Sequence, residues 1–95
     1  MDVVENKWFS DIVKKLHKNQ KNDLDEAVST IRNNPNIGKT KVADLKGVQV
    51  YKFRMVKQTT LLAYTYIDQT NTITLLALGP RENFYRDLKK HLNST

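Results

Sequence analysis

The stretch VQVYKFRMV, residues 48–56, alternates between two kinds of side chain and therefore predicts a β-strand. Alternate residues of a strand point to opposite faces of a sheet, so the apolar face consists of Tyr51, Phe53 and Met55. The other face carries two neighbouring cations, Lys52 and Arg54. The apolar face suits a packed core, and the cationic face is left for solvent or for an anionic ligand.

Two more strands are predicted directly downstream. LLAYTYI, residues 61–67, and TITLLAL, residues 72–78, are rich in the β-branched and aromatic residues that strands prefer. The connections, residues 57–60 and 68–71, are about four residues long, which indicates antiparallel hairpins. Short strands are also predicted at Val3-Val4 and around residues 42–45, giving an antiparallel sheet of three to four strands.

Helical periodicity dominates the first third of the chain. Apolar residues spaced by three and four predict a helix from Asn6, and HKNQKND interrupts it. A second helix follows, with acidic residues placed near its start, and it ends before Pro35. A last helix is predicted from residue 82 or 83 to Leu92. The order predicts one α+β domain over residues 1–95, with two layers: an N-terminal αα-hairpin packed on the sheet, and a C-terminal helix.

Charge is unevenly distributed along the chain. Residues 1–45 carry eight Lys and Arg against seven Asp and Glu, whereas residues 46–95 carry eight against three, a balance of +5 in the second half. This half favours a polyanionic partner, either nucleic acid or an acidic protein. The sequence has no cysteine, no apolar run of about 18 residues and no signal-peptide pattern at its start, so we expect a cytoplasmic protein without membrane contacts.

Familiar catalytic arrangements are missing from the sequence. His17 and His91 are the two histidines, and each is flanked by lysine on a predicted helix, which favours exposed side chains over ligands or bases. There is no Ser-His-Asp set, glycine-rich phosphate loop or metal-ligand spacing, so we expect neither metal nor cofactor. Cleavage of RNA needs neither, because RNA carries its own nucleophile, the 2′-OH, and clustered cations can stabilise the crowded phosphorane.

The stretch GPRENFYRDLKKHL, residues 79–92, supplies more cations and an aromatic ring. Gly-Pro ends a strand and the acids suit a helix start, so capping explains part of it. Arg81 follows a predicted strand and Tyr85 lies one helical turn later, where an aromatic ring could stack on a base. Solvated surface cations are the alternative interpretation of this pattern. Four further cations could extend the field: Lys57, Arg86, Lys89 and Lys90.

These residues resemble a known family. The pattern NP…G…K…LKG…VYKFR, then LLAY, then ITLLALGPRENFYRDL, is similar to the RelE/ParE superfamily of toxins from bacterial type II toxin–antitoxin systems. The resemblance covers nearly the whole chain. It implies a RelE-like toxin domain, with a microbial-RNase-like sheet packed on an αα-hairpin and an active site on the concave face of the sheet.

The resemblance also implies a function. The RelE branch consists of mRNA interferases that cleave mRNA in the ribosomal A site without metal and are neutralised by a cognate antitoxin. The matching positions imply a catalytic set of Lys52, Arg54, Arg81 and Tyr85, in which Tyr85 stacks on the mRNA base. Phe84 is a weaker candidate for RNA binding, because we expect it to be buried. Expected partners are an acidic antitoxin and mRNA on the ribosome, with contacts to rRNA.

Two departures from the family pattern matter. RelE has an arginine where this chain has Leu61, and relatives with the HENFYRDL form have histidine where this chain has Arg81. Arginine stays protonated and cannot act as a base. Either Arg81 only stabilises charge while another group moves the proton, or the chain is a weakened enzyme. The alternative function is that of a ParE-like toxin, a non-nuclease that inhibits DNA gyrase, although ParE-type proteins lack this basic and aromatic pocket.

Overall fold

The computed structural model describes residues 1–39 and 47–93. The elements, in chain order, are β1 (Asp2–Glu5), α1 (Lys7–Lys14), α2 (Lys18–Asn33), β2 (Val48–Met55), β3 (Gln58–Ile67), β4 (Thr72–Pro80) and α3 (Phe84–Asn93). The α+β class and the three strands predicted from residue 48 onward are confirmed. The further strand predicted around residues 42–45 lies outside the described residues.

The four strands form one sheet in the order β1-β4-β3-β2. β2, β3 and β4 form the predicted antiparallel meander, but β1 pairs with β4 in parallel, so the sheet is mixed rather than antiparallel. The direction of β1 depends on where the helices return the chain, and a four-residue strand carries no local signal for it.

The β2–β3 connection is shorter than predicted. The two turn residues are Val56 and Lys57, which both adopt positive φ, 50° and 67°, so β3 already begins at Gln58. Two-residue hairpin turns with positive φ at both positions are of type I′ and usually contain Asn or Gly, and this chain offers neither there. The β3–β4 connection has the predicted four residues, closed by a hydrogen bond from the Asn71 amide to the Asp68 carbonyl (3.2 Å).

The helical hairpin differs from its prediction at one boundary. α1 begins as predicted, because the Asn6 side chain accepts a hydrogen bond from the Phe9 amide (2.8 Å) and caps the helix. α2 begins at Lys18, well before the predicted start, so HKNQKND is largely helical and the acids of α2 lie in mid-helix rather than near its start. The Gln20 side chain accepts a hydrogen bond from the His17 amide (2.8 Å) and thereby fixes this earlier start.

Helices lie on both faces of the sheet, and each face has its own core. On one face, α1 and α2 bury Phe9, Leu24 and Ile31 against the strands. On the other face, α3 buries Phe84 and Leu88 in a smaller core. A β-bulge in β4 helps fill this second core: Ala63 pairs with Ala77 but Tyr64 pairs with Leu75, so Leu76 is an extra residue, and Leu76 and Ala77 both pack with α3.

Candidate functional site

The register of the meander places the two cations of β2 near one end of the face that carries α3. Lys52 pairs with Leu61, which in turn pairs with Gly79, and Arg54 pairs with Thr59. Both cationic side chains are exposed, as the alternation of the strand predicts. Val50, which precedes them on the same face, is buried in the α3 core. The face therefore changes from apolar to cationic where the cover of α3 ends.

Arg81 reaches the same end of the sheet from another strand. It is the first residue after β4, and the last pair of the β3–β4 ladder is Thr60 with Pro80. The residue before Thr60, Thr59, pairs with Arg54, so Arg81 begins at the end of the sheet where Arg54 lies. Arg81 is exposed. The fold thus brings together three cations that are up to 29 positions apart in the sequence.

The surface of the sheet between these cations carries apolar side chains. Leu61 is 4% exposed and packs in the same core as Phe84. A Cβ added to Gly79 would lie 3.8 Å from the Phe84 ring, an ordinary van der Waals distance, so the ring lies close over this strand. The sheet between the cations is therefore covered by buried apolar side chains.

The two adjacent aromatic residues of α3 have different surroundings. Phe84 is 5% exposed, so its ring belongs to the core and offers little surface to a base. Tyr85 is half-buried and meets Phe84 edge to face, with ring centroids 5.5 Å apart and planes at 89°. That contact fixes the Tyr85 ring while leaving part of it accessible. Of the two, Tyr85 is the residue that can stack on a base.

The turn before α3 sets the relation between Arg81 and Tyr85. The Phe84 amide donates a hydrogen bond to the Arg81 carbonyl (3.2 Å), and the Asp87 amide donates to the Asn83 carbonyl (3.0 Å). Asn83 adopts φ of 62°, a left-handed conformation that asparagine tolerates better than most residues. The tight turn holds the arginine immediately before the helix that carries the aromatic ring.

Arg54 and the four further cations of this surface differ in their contacts. The Arg54 guanidinium donates from Nη2 to the carbonyl of Lys57 (3.0 Å), which ties Arg54 to the β2–β3 turn. Arg86 lies 3.6 Å from the Asp87 carboxylate, and both side chains are largely exposed, so the pair weakens the positive field only locally. Lys57 and Lys90 are exposed, and Lys89 is half-buried.

The two histidines lie at the start of α2 and on α3, not on the strand that carries Lys52 and Arg54. His17 is exposed at the N-cap of α2. His91 stacks on Trp8, with ring centroids 3.6 Å apart and planes 15° from parallel, and so joins α3 to α1. Within residues 1–39 and 47–93, no group of three or more His, Asp or Glu side chains is arranged to hold a metal ion.

Sequence reasoning missed two residues that organise the surroundings of the site. Tyr64 is completely buried, and its hydroxyl donates to the Pro35 carbonyl (2.8 Å) and accepts from the Gly38 amide (2.9 Å). Burial raises the pKa of the Tyr64 phenol, an effect that the hydrogen bond from Gly38 partly offsets. Asp23 accepts a hydrogen bond from the Val56 amide (2.7 Å), 33 positions away. Both contacts are long-range, so local pattern gave no signal for them.

No described helix has the length and apolar character needed to cross a membrane.

Comparison with known proteins identifies the family. Residues 3–89 match the model of the ParE-like toxin of type II bacterial toxin–antitoxin systems. The chain belongs to this family. The match covers all the described strands and most of α3, so the predicted membership of the RelE/ParE superfamily is confirmed. No curated protein sequence matches the chain.

Solved structures share the fold. A variant of E. coli toxin RelE with two arginines changed to alanine, in the free state, superposes with a TM-score of 0.74 at 17% identity, covering 96% of each chain. The intact E. coli RelBE toxin–antitoxin complex contains a chain with a TM-score of 0.69 at 16% identity, covering 83% of this chain and 94% of that one. The same variant with a RelB peptide gives 0.68 at 16% identity, covering 90% and 92%. At these identities the similarity establishes the fold alone.

Proposed function

We propose that this ParE-like toxin is a ribosome-dependent endoribonuclease that cleaves mRNA in the ribosomal A site, without metal or cofactor. The observation that supports the proposal is the strand register, which puts the exposed residues Lys52, Arg54 and Arg81 towards one end of the sheet, with Tyr85 one helical turn after Arg81. Cations that serve only to solvate the surface need not lie together at the ends of β2 and β4 around apolar side chains. Binding of a splayed RNA strand explains the cluster, because the phosphate binds cations and the base stacks on an aromatic ring.

The chemistry follows from the charge of each group. The 2′-OH of the RNA attacks the neighbouring phosphorus, the 5′-oxygen leaves, and a 2′,3′-cyclic phosphate results. Arg54 and Arg81 stabilise the extra negative charge of the phosphorane, and Lys52 is an ammonium able to give a proton to the leaving oxygen. Arg81 takes no proton from the nucleophile, because arginine stays protonated. Water, or a ribosomal group in the assembled A site, must therefore accept that proton.

The same surface suits a second partner, an antitoxin. Residues 46–95 carry an excess charge of +5, and an acidic segment that orders on binding would gain from this field while covering the cations. One of the fold relatives is a toxin–antitoxin complex, and membership of a toxin–antitoxin family supports such a partner here. An antitoxin that covers Lys52 and Arg81 would compete with RNA for the site.

Inhibition of DNA gyrase is the second candidate function. The description of the matching family, ParE-like toxin, favours it, and so does Leu61, since a buried leucine replaces one cation of the RelE pattern. It requires protein contacts rather than a phosphate site. The experiment adds the toxin to purified gyrase. Loss of negative supercoiling activity, or accumulation of cleaved DNA, would make gyrase inhibition the leading function.

The test of the leading proposal uses purified toxin and ribosomes carrying a defined codon in the A site, with mRNA ends mapped by primer extension. Wild type should cut at that codon, and Arg81→Ala should slow the cut about 100-fold, the usual cost of losing one transition-state donor. Arg32→Ala is the matched control, an exposed arginine on α2, and should cut normally. Growth arrest by the wild type with mRNA left intact would overturn the proposal.

A further inference from the structure

The turn between β2 and β3 adopts a conformation that its own residues disfavour. Val56 and Lys57 have φ of 50° and 67°, in the left-handed region that β-branched residues such as valine rarely enter. Val56 is 42% exposed, so core packing does not hold it in place. Such backbone strain persists only where the surroundings impose it. The contacts of the turn must therefore explain its conformation.

Two side chains from outside the turn hold it. The Val56 N–H donates to Asp23 Oδ2 at 2.7 Å, a short bond to a carboxylate and so stronger than a neutral one. The Lys57 carbonyl accepts from Arg54 Nη2 at 3.0 Å. Asp23 thus connects α2 to the first turn residue, Val56. The second turn residue, Lys57, is bonded to the guanidinium of Arg54.

The same side chains share a crevice. Asp23 and Glu26 of α2 line a cavity of about 170 Å³ together with Arg54 and the stacked rings of Tyr51 and Phe53. The two carboxylates add an attractive field on the side of Arg54 that faces α2. Without Asp23 the turn loses its connection to the helix layer, and the carbonyl that orients Arg54 loses its fixed place.

We propose that Asp23 is a positioning residue for the cationic site: it holds the β2–β3 turn through the Val56 amide, and so holds Arg54 in the orientation that meets the scissile phosphate. The role of Arg54 in this statement rests on the proposed function, whereas the connection between Asp23 and the turn does not. Arg54 touches the reacting phosphate, and Asp23 acts only through the turn.

The test compares Asp23→Ala, Asp23→Asn and the control Asp25→Ala, a neighbouring exposed carboxylate on the same helix. Asparagine keeps a side-chain oxygen that accepts the Val56 N–H, so Asp23→Asn should retain most activity. Asp23→Ala should lower kcat for mRNA cleavage about 10-fold with little change in KM, because Arg54 is misplaced in the transition state rather than lost from binding. Asp25→Ala should behave as wild type. A purely structural role of Asp23 would also lower apparent kcat at unchanged KM, through a smaller folded fraction, so kcat is referred to the folded concentration measured by circular dichroism. On that basis a purely structural role leaves kcat per folded molecule at the wild-type value.

A second readout needs no RNA. Amide hydrogen exchange at Val56, followed by NMR, should quicken at least 10-fold in Asp23→Ala and stay near wild type in Asp23→Asn. Unchanged exchange in Asp23→Ala, or equal kcat in wild type and Asp23→Ala, overturns the proposal. If wild type leaves mRNA intact while exchange at Val56 responds as expected, the proposed function fails and the connection between Asp23 and the turn stands. If Asp23→Ala does not fold, Asp23→Ser takes its place. Exchange at Val56 at least 10-fold faster in Asp23→Ser than in Asp23→Asn supports the proposal, and equal exchange overturns it.

Discussion

Replacing Tyr64 with phenylalanine removes one oxygen atom from the interior and tests how the chain leaves α2. The hydroxyl donates to the Pro35 carbonyl (2.8 Å) and accepts from the Gly38 amide (2.9 Å), and the Gln49 side chain lies 3.2 Å away. The segment approaches so closely that a Cβ on Gly38 would lie 2.7 Å from this oxygen. The hydroxyl is therefore the atom that fastens residues 35–38 to the sheet.

The magnitude follows from the groups that lose their partner. A hydrogen bond contributes about 1 kcal/mol net, and a buried donor or acceptor left unsatisfied costs about 1–3 kcal/mol. Gln49 can replace part of the lost bonding, so we expect Tyr64→Phe to lower the free energy of unfolding by about 2 kcal/mol. For a domain of this size that corresponds to a fall in Tm of about 10 °C.

Urea unfolding followed by circular dichroism measures this change. Tyr66→Phe is the matched control, because its hydroxyl makes only long contacts, 3.4 Å to Asp68 and 3.3 Å to Asn71, at an exposed site. The control should change the free energy of unfolding by less than about 0.5 kcal/mol. Equal stability of Tyr64→Phe and Tyr66→Phe would refute the reasoning, since it would mean that the buried hydroxyl fastens nothing.

Three further outcomes are expected from the same unfolding assay. Phe9→Ala should cost about 3–5 kcal/mol, because the ring is 1% exposed in the larger core, and a cost below 1 kcal/mol would show that the core is loosely packed. Lys7→Ala should change stability by less than about 0.5 kcal/mol, because its ion pair with Asp11 is exposed; a larger loss would contradict this. Burial raises the pKa of Tyr64 above its ordinary 10.0, so the folded state keeps a proton that the unfolded state releases. Stability from this group is complete below about pH 10 and falls as the pH rises further, so wild type should lose stability more steeply than Tyr64→Phe as the pH rises above 10; parallel curves would contradict the assignment.

Local pattern was sufficient for most of the strands and for the cations of β2. The alternation of residues 48–56 predicted that Lys52 and Arg54 share a face opposite the aromatic residues, and both are exposed there. The apolar repeat of α1 located that helix correctly, and the structure adds the Asn6 cap at its start. These features depend on neighbours in sequence, which is why they could be predicted.

Features that depend on distant contacts could not be predicted locally. The start of α2 lacks an apolar repeat, and the Gln20 side chain decides it. The β2–β3 turn has no glycine or asparagine at its two positions and is held by Asp23, 33 positions away. The parallel pairing of β1 is equally non-local. The proximity of Arg54 and Arg81 needs the register of three strands, for which the sequence supplied only the family resemblance.

The most direct test of the central claim is a change in the RNA rather than in the protein. An mRNA with a single 2′-deoxynucleotide on the 5′ side of the scissile phosphate is placed in the ribosomal A site and mixed with wild-type toxin. We predict that the all-ribose mRNA is cut to a 2′,3′-cyclic phosphate and a 5′-hydroxyl end, and that the deoxy mRNA stays intact at that position. Cleavage of both mRNAs at the same rate would contradict an RNA-cleaving site built from Lys52, Arg54 and Arg81. So would an intact all-ribose mRNA in this assay, if the same toxin arrests the growth of cells.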